Sequence, residues 1–133
     1  MMHHTCRFCD PATWVHESVG IENAHCLFIT RPEPVLSGSG LIIPRAHRPT
    51  AFDLTPEEWQ ATYELLHRVK SMLDSTLTPQ GYTLGWNVGL AGGQEVFHAH
   101  FHVIPRFVDE PFAGRGLRWW LKQDANRRGT KAL

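Results

Sequence analysis

The sequence lacks most of the features that would assign it to a membrane or to a nucleic acid. Its 13 basic and 13 acidic side chains balance over 133 residues, so net charge gives no argument for binding nucleic acid or an anionic membrane. No apolar run approaches the roughly 20 residues of a spanning helix, and the first residues lack the apolar core of a signal peptide. We therefore expect a cytoplasmic protein with no membrane or nucleic-acid partner.

Cysteine is also scarce, and an odd set of three does not suit a disulfide framework. Two of the cysteines form the motif Cys6-x-x-Cys9, a spacing that favours metal binding over a disulfide in a reducing compartment. A redox pair is less favoured because no thioredoxin-like strand leads into the motif. Cys26 lies in an apolar stretch and is interpreted as a small buried residue.

Histidine, in contrast, is abundant, with nine copies. Three of them, His98, His100 and His102, alternate with apolar residues in the stretch 94–106. Successive side chains of a strand point to opposite faces, so an extended stretch places the three imidazoles on one face. A row of nitrogen bases on a rigid strand suits phosphoryl chemistry, metal binding or both.

The remaining patterns predict one domain over residues 1–133. Thr55, Pro56 and Glu58 form a helix start with a capping box, and an apolar stripe with helical spacing continues to about Leu77. His67 within this helix is interpreted as a surface histidine. A second, short helix is predicted over 117–122, followed by a basic tail from residue 126 to 133. Strands are predicted over 12–19, 25–30, 40–44, 81–87 and 94–106, the last two as a hairpin.

A zinc site is one interpretation of the cysteine motif. Zinc takes four nitrogen or sulfur ligands in a tetrahedron. Cys6 and Cys9 offer two, and His47 with one end of the histidine stretch is a plausible second pair. Such a closed site would be structural and would anchor an N-terminal arm, residues 1–10, to the sheet. Two alternatives remain open, namely free thiols at a frayed terminus and competition from His3 and His4 as ligands.

Nucleophilic catalysis is one reading of the histidine row. A neutral imidazole attacks phosphorus well near pH 7 and forms a phosphohistidine that water cleaves. The attacking ring must present a bare nitrogen, so its other nitrogen must donate to a carbonyl. Candidate donors to the phosphate oxygens are His102, the amides of Gln94 and Asn87, and the backbone of Gly92 and Gly93. The alternative is a catalytic zinc held by all three histidines.

The motif Gly93-Gln94-x-Val96-x-His98-x-His100-x-His102-Val103-Ile104-Pro105-Arg106 resembles the signature of the histidine triad (HIT) family of nucleotide hydrolases and transferases. The resemblance extends from roughly Cys6 to Arg106, because the cysteine motif, His47, the capped helix and Asn87 follow the family's order. It implies an α+β fold with an antiparallel five-stranded sheet, one long helix and a short C-terminal helix, and a C-terminal extension over 107–133.

The resemblance also implies a reaction, the hydrolysis of a nucleoside phosphoramidate, an adenylylated amine or a dinucleoside polyphosphate at the α-phosphate. His100 would be the nucleophile, His102 would contact the α-phosphate, and His98 would set the tautomer of His100 through its carbonyl. Gln94 and Asn87 would bind phosphate or the leaving group. A transferase is less favoured, because the uridylyltransferase relatives have Gln where this chain has His102.

The metal and the quaternary structure follow from the same resemblance. In zinc-bearing branches of the family the ligands match Cys6, Cys9, His47 and His98, which implies a structural zinc ion. Members are usually homodimers that continue the sheet across an interface formed by the long helix and a central strand.

Two residues depart from the family pattern. Arg31 stands where many members have an Asp that binds the ribose hydroxyls, and a guanidinium cannot accept a hydrogen bond from a diol. Glu95 stands where phosphoramidate-hydrolysing relatives often have Ser or Thr, and strand alternation predicts that it faces away from Gln94. Both residues are candidate substrate contacts. Their presence also motivates an alternative function, a non-catalytic nucleotide-binding module.

Overall fold

A five-stranded antiparallel sheet forms the centre of the computed structural model, which describes residues 6–129. The strands are β1 (Ser18–Glu22), β2 (Cys26–Thr30), β3 (Gly40–Pro44), β4 (Gly81–Trp86) and β5 (Phe101–Arg106). Their spatial order is β1-β2-β3-β5-β4, and every neighbouring pair is antiparallel. The sheet expected from the resemblance is therefore confirmed. His3, His4 and the end of the basic tail lie outside the described residues.

The long helix α1 (Pro56–Leu77) begins and ends where the sequence predicts. Thr55 accepts a hydrogen bond from the Glu58 N–H, and the Glu58 carboxylate accepts one from the Thr55 N–H, which completes the capping box. The buried face of the helix is rotated slightly from the predicted apolar stripe. Trp59, a residue of that stripe, remains 43% exposed. The short helix α2 (Leu117–Leu121) also matches its prediction.

The two faces of the sheet carry different layers. Helix α1 packs on one face, where its buried side chains meet the inward residues of three strands: Cys26, Phe28, Ile42, Ala61, Leu65, Val69, Leu73 and Val103. Cys26 is fully buried in this core, as predicted. The other face carries a smaller cluster, in which Phe8 of the N-terminal arm packs with Leu27, Ile29 and Ile43. The arm therefore covers the face of the sheet that the helix leaves open.

The predicted first strand, residues 12–19, is wrong in position. Asp10 accepts a hydrogen bond from the Ala12 N–H and starts a 3-10 turn over Pro11–Thr13. An Asp cap followed by a proline favours a helical turn over a strand. Strand β1 begins only at Ser18.

The predicted strand over 94–106 is also too long, because the β5 ladder begins at Phe101. The N–H groups of the preceding residues donate to carbonyls of loops instead of to a neighbouring strand. The N–H of Gln94 donates to the Gly89 carbonyl at 3.0 Å, and that of Ala99 donates to the Arg48 carbonyl at 2.7 Å. His98 and His100 therefore lie on a tethered loop that leads into the sheet.

Within residues 6–129, neither helix has the combination of length and apolar composition that a membrane-crossing segment requires.

Candidate active site and metal centre

The hydrogen bonding of His100 leaves one of its ring nitrogens available to react. Its Nδ1 lies 2.9 Å from the carbonyl oxygen of His98, so Nδ1 carries the proton and donates it to that carbonyl. The neutral ring then has a bare Nε2. His100 is half-buried and lines a cleft on the face of the sheet opposite α1.

His102 lies beside His100 at the start of β5. The two ring centroids are 5.1 Å apart, and both side chains line the cleft. Burial and the neighbouring His100 lower the pKa of His102, which favours a neutral imidazole. The Asn87 Nδ2 lies 3.4 Å from His102 Nε2, so the amide donates to that nitrogen. The hairpin of β4 and β5 thus brings Asn87 to the histidines, as predicted from the sequence.

The cleft has a volume of about 500 Å³. Four of the five predicted substrate-binding residues line it, namely Arg31, Asn87, Gly93 and Glu95. Gly93 has a φ of +94°, in the left-handed region where a side chain would be strained, so the turn beside the cleft requires glycine.

Gln94, the fifth predicted contact, points into the protein. Its side chain is 1% exposed. Nε2 donates to the carbonyls of Pro49 at 2.6 Å and Val96 at 3.1 Å, and Oε1 accepts from the Gly89 N–H at 2.9 Å. Glu95 is exposed toward the cleft, so the two residues face opposite ways, as alternation predicts.

A group of charged cleft residues was not anticipated from the sequence. Glu17 Oε2 accepts from Arg7 at 2.6 Å and lies 3.9 Å from an Arg31 nitrogen. The Arg7 hydrogen bond lowers the pKa of Glu17 against the opposing effect of burial. Arg31, which follows β2, is therefore paired with Glu17, which precedes the neighbouring strand β1. These three residues are separated in the chain and follow no motif. Their grouping is therefore visible only in the folded structure.

Behind the cleft, four potential metal ligands converge: Cys6, Cys9, His47 and His98. Their ligand atoms all lie within 4.8 Å of one another. Cys9 Sγ is 3.1 Å from His47 Nδ1 and 3.5 Å from His98 Nδ1, and Cys6 Sγ is 3.4 Å from His98 Nδ1. A tetrahedral zinc ion separates sulfur and nitrogen ligands by about 3.6 Å. The donors and their spacing fit zinc.

Hydrogen bonding orients His98 for this centre. Its side chain is fully buried, and Nε2 lies 2.8 Å from the Pro44 carbonyl, to which it donates. Nδ1 is then the unprotonated nitrogen, and it faces the two cysteines. Burial, followed by the neighbouring Cys6, raises the pKa of the Cys9 thiol to about 12, so metal binding must displace its proton. Among the described residues, His98, His100 and His102 do not form a metal-ligand group of their own.

The fold and site define an α+β protein with two histidines in a cleft and a Cys2His2 group of potential metal ligands behind it. The HIT domain model matches residues 14–109, and the chain belongs to this family. A 16.1 kDa HIT-like protein of Mycoplasma pneumoniae is 32% identical over 128 residues, which cover 96% of this chain and 86% of the relative.

Two more distant relatives have named activities. The bis(5'-adenosyl)-triphosphatase of Dictyostelium discoideum is 35% identical over 74 residues, which cover 56% of this chain and 50% of the relative. The asymmetrical bis(5'-nucleosyl)-tetraphosphatase of Schizosaccharomyces pombe is 32% identical over 74 residues, which cover 56% and 41%. Both matches span half or less of the named enzymes.

Solved structures resemble the whole fold. A HIT family protein of Bacillus anthracis matches with a TM-score of 0.71 and 31% identity, covering 78% of this chain and 74% of that chain. A Zn-bound histidine triad family protein of Mycobacterium smegmatis matches with a TM-score of 0.73 and 26% identity, covering 86% and 84%.

Proposed function

We propose that this protein is a nucleotide hydrolase that acts at the α-phosphate through a covalent intermediate on His100. One observation carries the proposal: the His98 carbonyl holds the proton of His100 on Nδ1, which leaves a bare Nε2 at the cleft. A neutral imidazole with a fixed tautomer is a competent nucleophile near pH 7.

The reaction balances in two steps. The lone pair of His100 Nε2 attacks the α-phosphorus, and the bond from phosphorus to the leaving group breaks. The leaving group keeps that electron pair and takes up a proton from solvent. Water then attacks the nucleotidyl-phosphohistidine and releases a proton to solvent, the bond between phosphorus and Nε2 breaks, and its electron pair returns to the ring. The product is a nucleoside monophosphate.

The residues around His100 suit the charge that develops in these steps. His102 and Asn87 are polar groups beside the nucleophile, and the left-handed Gly93 lets the backbone of its turn approach a ligand closely. The substrate class is a nucleoside phosphoramidate, an adenylylated amine or a dinucleoside polyphosphate. The names of the Dictyostelium and Schizosaccharomyces relatives support the last of these.

Zinc is the proposed cofactor, held by Cys6, Cys9, His47 and His98. When bound, it would supply a structural cross-link between the N-terminal arm and the loops that carry the two histidines. The Zn-bound Mycobacterium smegmatis structure supports this assignment. A centre with reduced thiolate ligands also agrees with a cytoplasmic location.

We expect the His100→Ala variant to lose turnover by at least about 10³-fold, because removal of the nucleophile blocks formation of the intermediate. Hydrolysis of adenosine phosphoramidate and of diadenosine polyphosphates measures this loss, and mass spectrometry detects the nucleotidyl adduct on the wild-type chain. His25→Ala, at an exposed histidine between β1 and β2, is the matched control. Thermal unfolding and zinc content should be unchanged in both variants, and undiminished hydrolysis by His100→Ala would remove the nucleophile from the mechanism.

A second candidate function is a nucleotide-binding module without turnover. Glu95 favours it, because a carboxylate exposed in the cleft opposes a phosphate there. Titration calorimetry with the same nucleotides decides between the two functions. Tight binding without hydrolysis across the substrate panel would favour the module.

A further inference from the structure

Phe8 connects the metal centre to the catalytic histidine. It lies between the two cysteines of the Cys6-x-x-Cys9 motif, and only 5% of it is exposed. Its ring centroid is 6.0 Å from that of His98 at an interplanar angle of 88°, and 5.4 Å from that of His100 at 73°. Both are edge-to-face contacts in the range that aromatic rings prefer.

The loop that carries Phe8 is fixed on several sides. Cys6 and Cys9 lie beside His98, and the Cys9 N–H donates to the Cys6 carbonyl at 3.3 Å. Trp14 Nε1 donates to the Arg7 carbonyl at 2.8 Å. The Phe8 ring itself packs against the apolar residues of β2 and β3. Its position is therefore set by the metal ligands and the sheet together.

The ring of His100 needs a second contact to fix its orientation. Its hydrogen bond to the His98 carbonyl fixes the position of Nδ1 but leaves rocking of the ring about that bond. Phe8 restricts the ring on one side, and His102, with its centroid 5.1 Å away, contacts it too. A bare Nε2 reacts only if its lone pair is aimed at phosphorus.

We propose that Phe8 is a positioning residue that orients His100, so that the metal-binding loop controls the aim of the nucleophile. The proposal rests on the proposed function of His100 as nucleophile. It gives the metal centre a role beyond anchoring the N-terminal arm, since the cysteines place a side chain directly against the reactive ring.

The test compares the zinc-loaded Phe8→Ala and Phe8→Leu variants with Phe112→Leu. The last variant removes the same type of ring from an edge contact with Trp120, outside the cleft lining, and it serves as the matched control. We expect both Phe8 variants to keep their zinc. In Phe8→Ala, kcat should fall about tenfold with KM within about twofold, the size of effect that an aromatic edge contact can supply. Phe8→Leu keeps apolar volume and should show a smaller loss.

NMR relaxation of the His100 ring in the zinc-loaded, substrate-free protein supplies the readout that a merely structural role would not move. The 13C–1H order parameter of this ring should match the wild type in Phe112→Leu and fall in Phe8→Ala, because the His98 carbonyl still holds Nδ1 but the ring is free to rock about that bond. An unchanged order parameter and kcat in Phe8→Ala would overturn the proposal. So would loss of zinc from both Phe8 variants, or an equal change in Phe112→Leu. If the wild type hydrolyses nothing, the proposed function fails, while the order parameter still tests the contact.

Discussion

Glu58 is a charged residue that is almost excluded from solvent, with 5% of it exposed. Its carboxylate accepts from Arg48 Nε at 2.9 and 3.1 Å and from the Thr55 N–H at 2.8 Å. Burial by itself would raise the pKa of Glu58, but these hydrogen bonds outweigh it and the pKa lies below its usual range. Because the Arg48 carbonyl accepts from Ala99, the ion pair links the start of α1 to the segment between His98 and His100.

We expect Glu58→Gln to lower the free energy of unfolding by about 1–2 kcal/mol at pH 7, through loss of a partly buried charged hydrogen bond. A carboxyl with a lowered folded-state pKa stabilises the protein above its unfolded-state pKa of about 4.3, and that stability is lost as the pH falls through the folded-state pKa. Urea unfolding at pH 7 and near pH 3 measures the difference between variant and wild type. A difference that persists undiminished in acid would contradict the ion-pair explanation.

At the level of residues, sequence reasoning succeeded where the residue type limits the chemistry. Cysteine and histidine are the usual ligands of zinc, so His47 and the two cysteines of the motif were predicted to meet one end of the histidine stretch, and they lie together with His98 in the structure. The inward orientation of Gln94 was missed, since the partners of its amide are backbone groups of Pro49, Val96 and Gly89 that no motif reveals.

The loop between β4 and β5 depends on the Gln94 side chain. The backbone groups of Gly89, Pro49 and Val96 lose their side-chain partner if the amide is removed. The sequence-based prediction that Gln94 contacts phosphate would instead require the amide to reach the substrate.

Gln94→Met keeps the approximate size of the side chain and removes its hydrogen bonds. We expect the free energy of unfolding to fall by about 2–4 kcal/mol, the cost of leaving buried backbone groups unpaired. Denaturant titration measures this loss, and Gln123→Met in the exposed C-terminal segment is the control. A raised KM with unchanged stability would favour a direct phosphate contact.

Prediction of the secondary-structure elements was accurate where the signal lies within a few residues. The capping box of α1 and the short, strand-favouring runs of β2 to β4 are such signals, and their bounds agree with the structure to within about one residue. The stretch 94–100 alternates like a strand but forms a loop, because Arg48 and Gly89 bind its N–H groups. Its alternation reflects burial on two sides of a loop, which sequence periodicity cannot distinguish from a ladder.

The whole molecule has one sheet edge that suits a second copy of the chain. Within residues 6–129, β4 pairs only with β5 and leaves its other side open. Trp59 and Tyr63 of α1 and Leu84 of β4 are exposed, and Trp59 contacts Trp86 with ring centroids 5.4 Å apart. A homodimer that continues the sheet through β4 would cover these groups, and β4 would then be central, as the family resemblance implies.

We propose this homodimer and expect Leu84→Lys to convert it to a monomer, because a lysine on an edge strand opposes pairing between edges. Sedimentation velocity across a concentration series measures the change. Val108→Lys adds the same charge at another exposed apolar site, which is 74% exposed, and should remain dimeric. A wild-type chain that sediments as a monomer at all concentrations would exclude the proposed interface.

At this scale the sequence was least informative. The pairing of Arg7 and Arg31 with Glu17 needs the N-terminal arm to fold back over the sheet, and no local pattern records that path. The single five-stranded sheet followed only from the family resemblance, and the placement of the helix on one face and of the cleft on the other was not predicted.

The side chain and the main chain of His98 have separate roles. Its ring faces the cysteines, while its main-chain oxygen holds the proton of the next histidine along. The second contribution does not depend on which amino acid occupies the position. The side chain at this position therefore governs the metal centre and the contact with the Phe8 ring, whereas the tautomer of His100 is set by a backbone carbonyl that any replacement residue would retain.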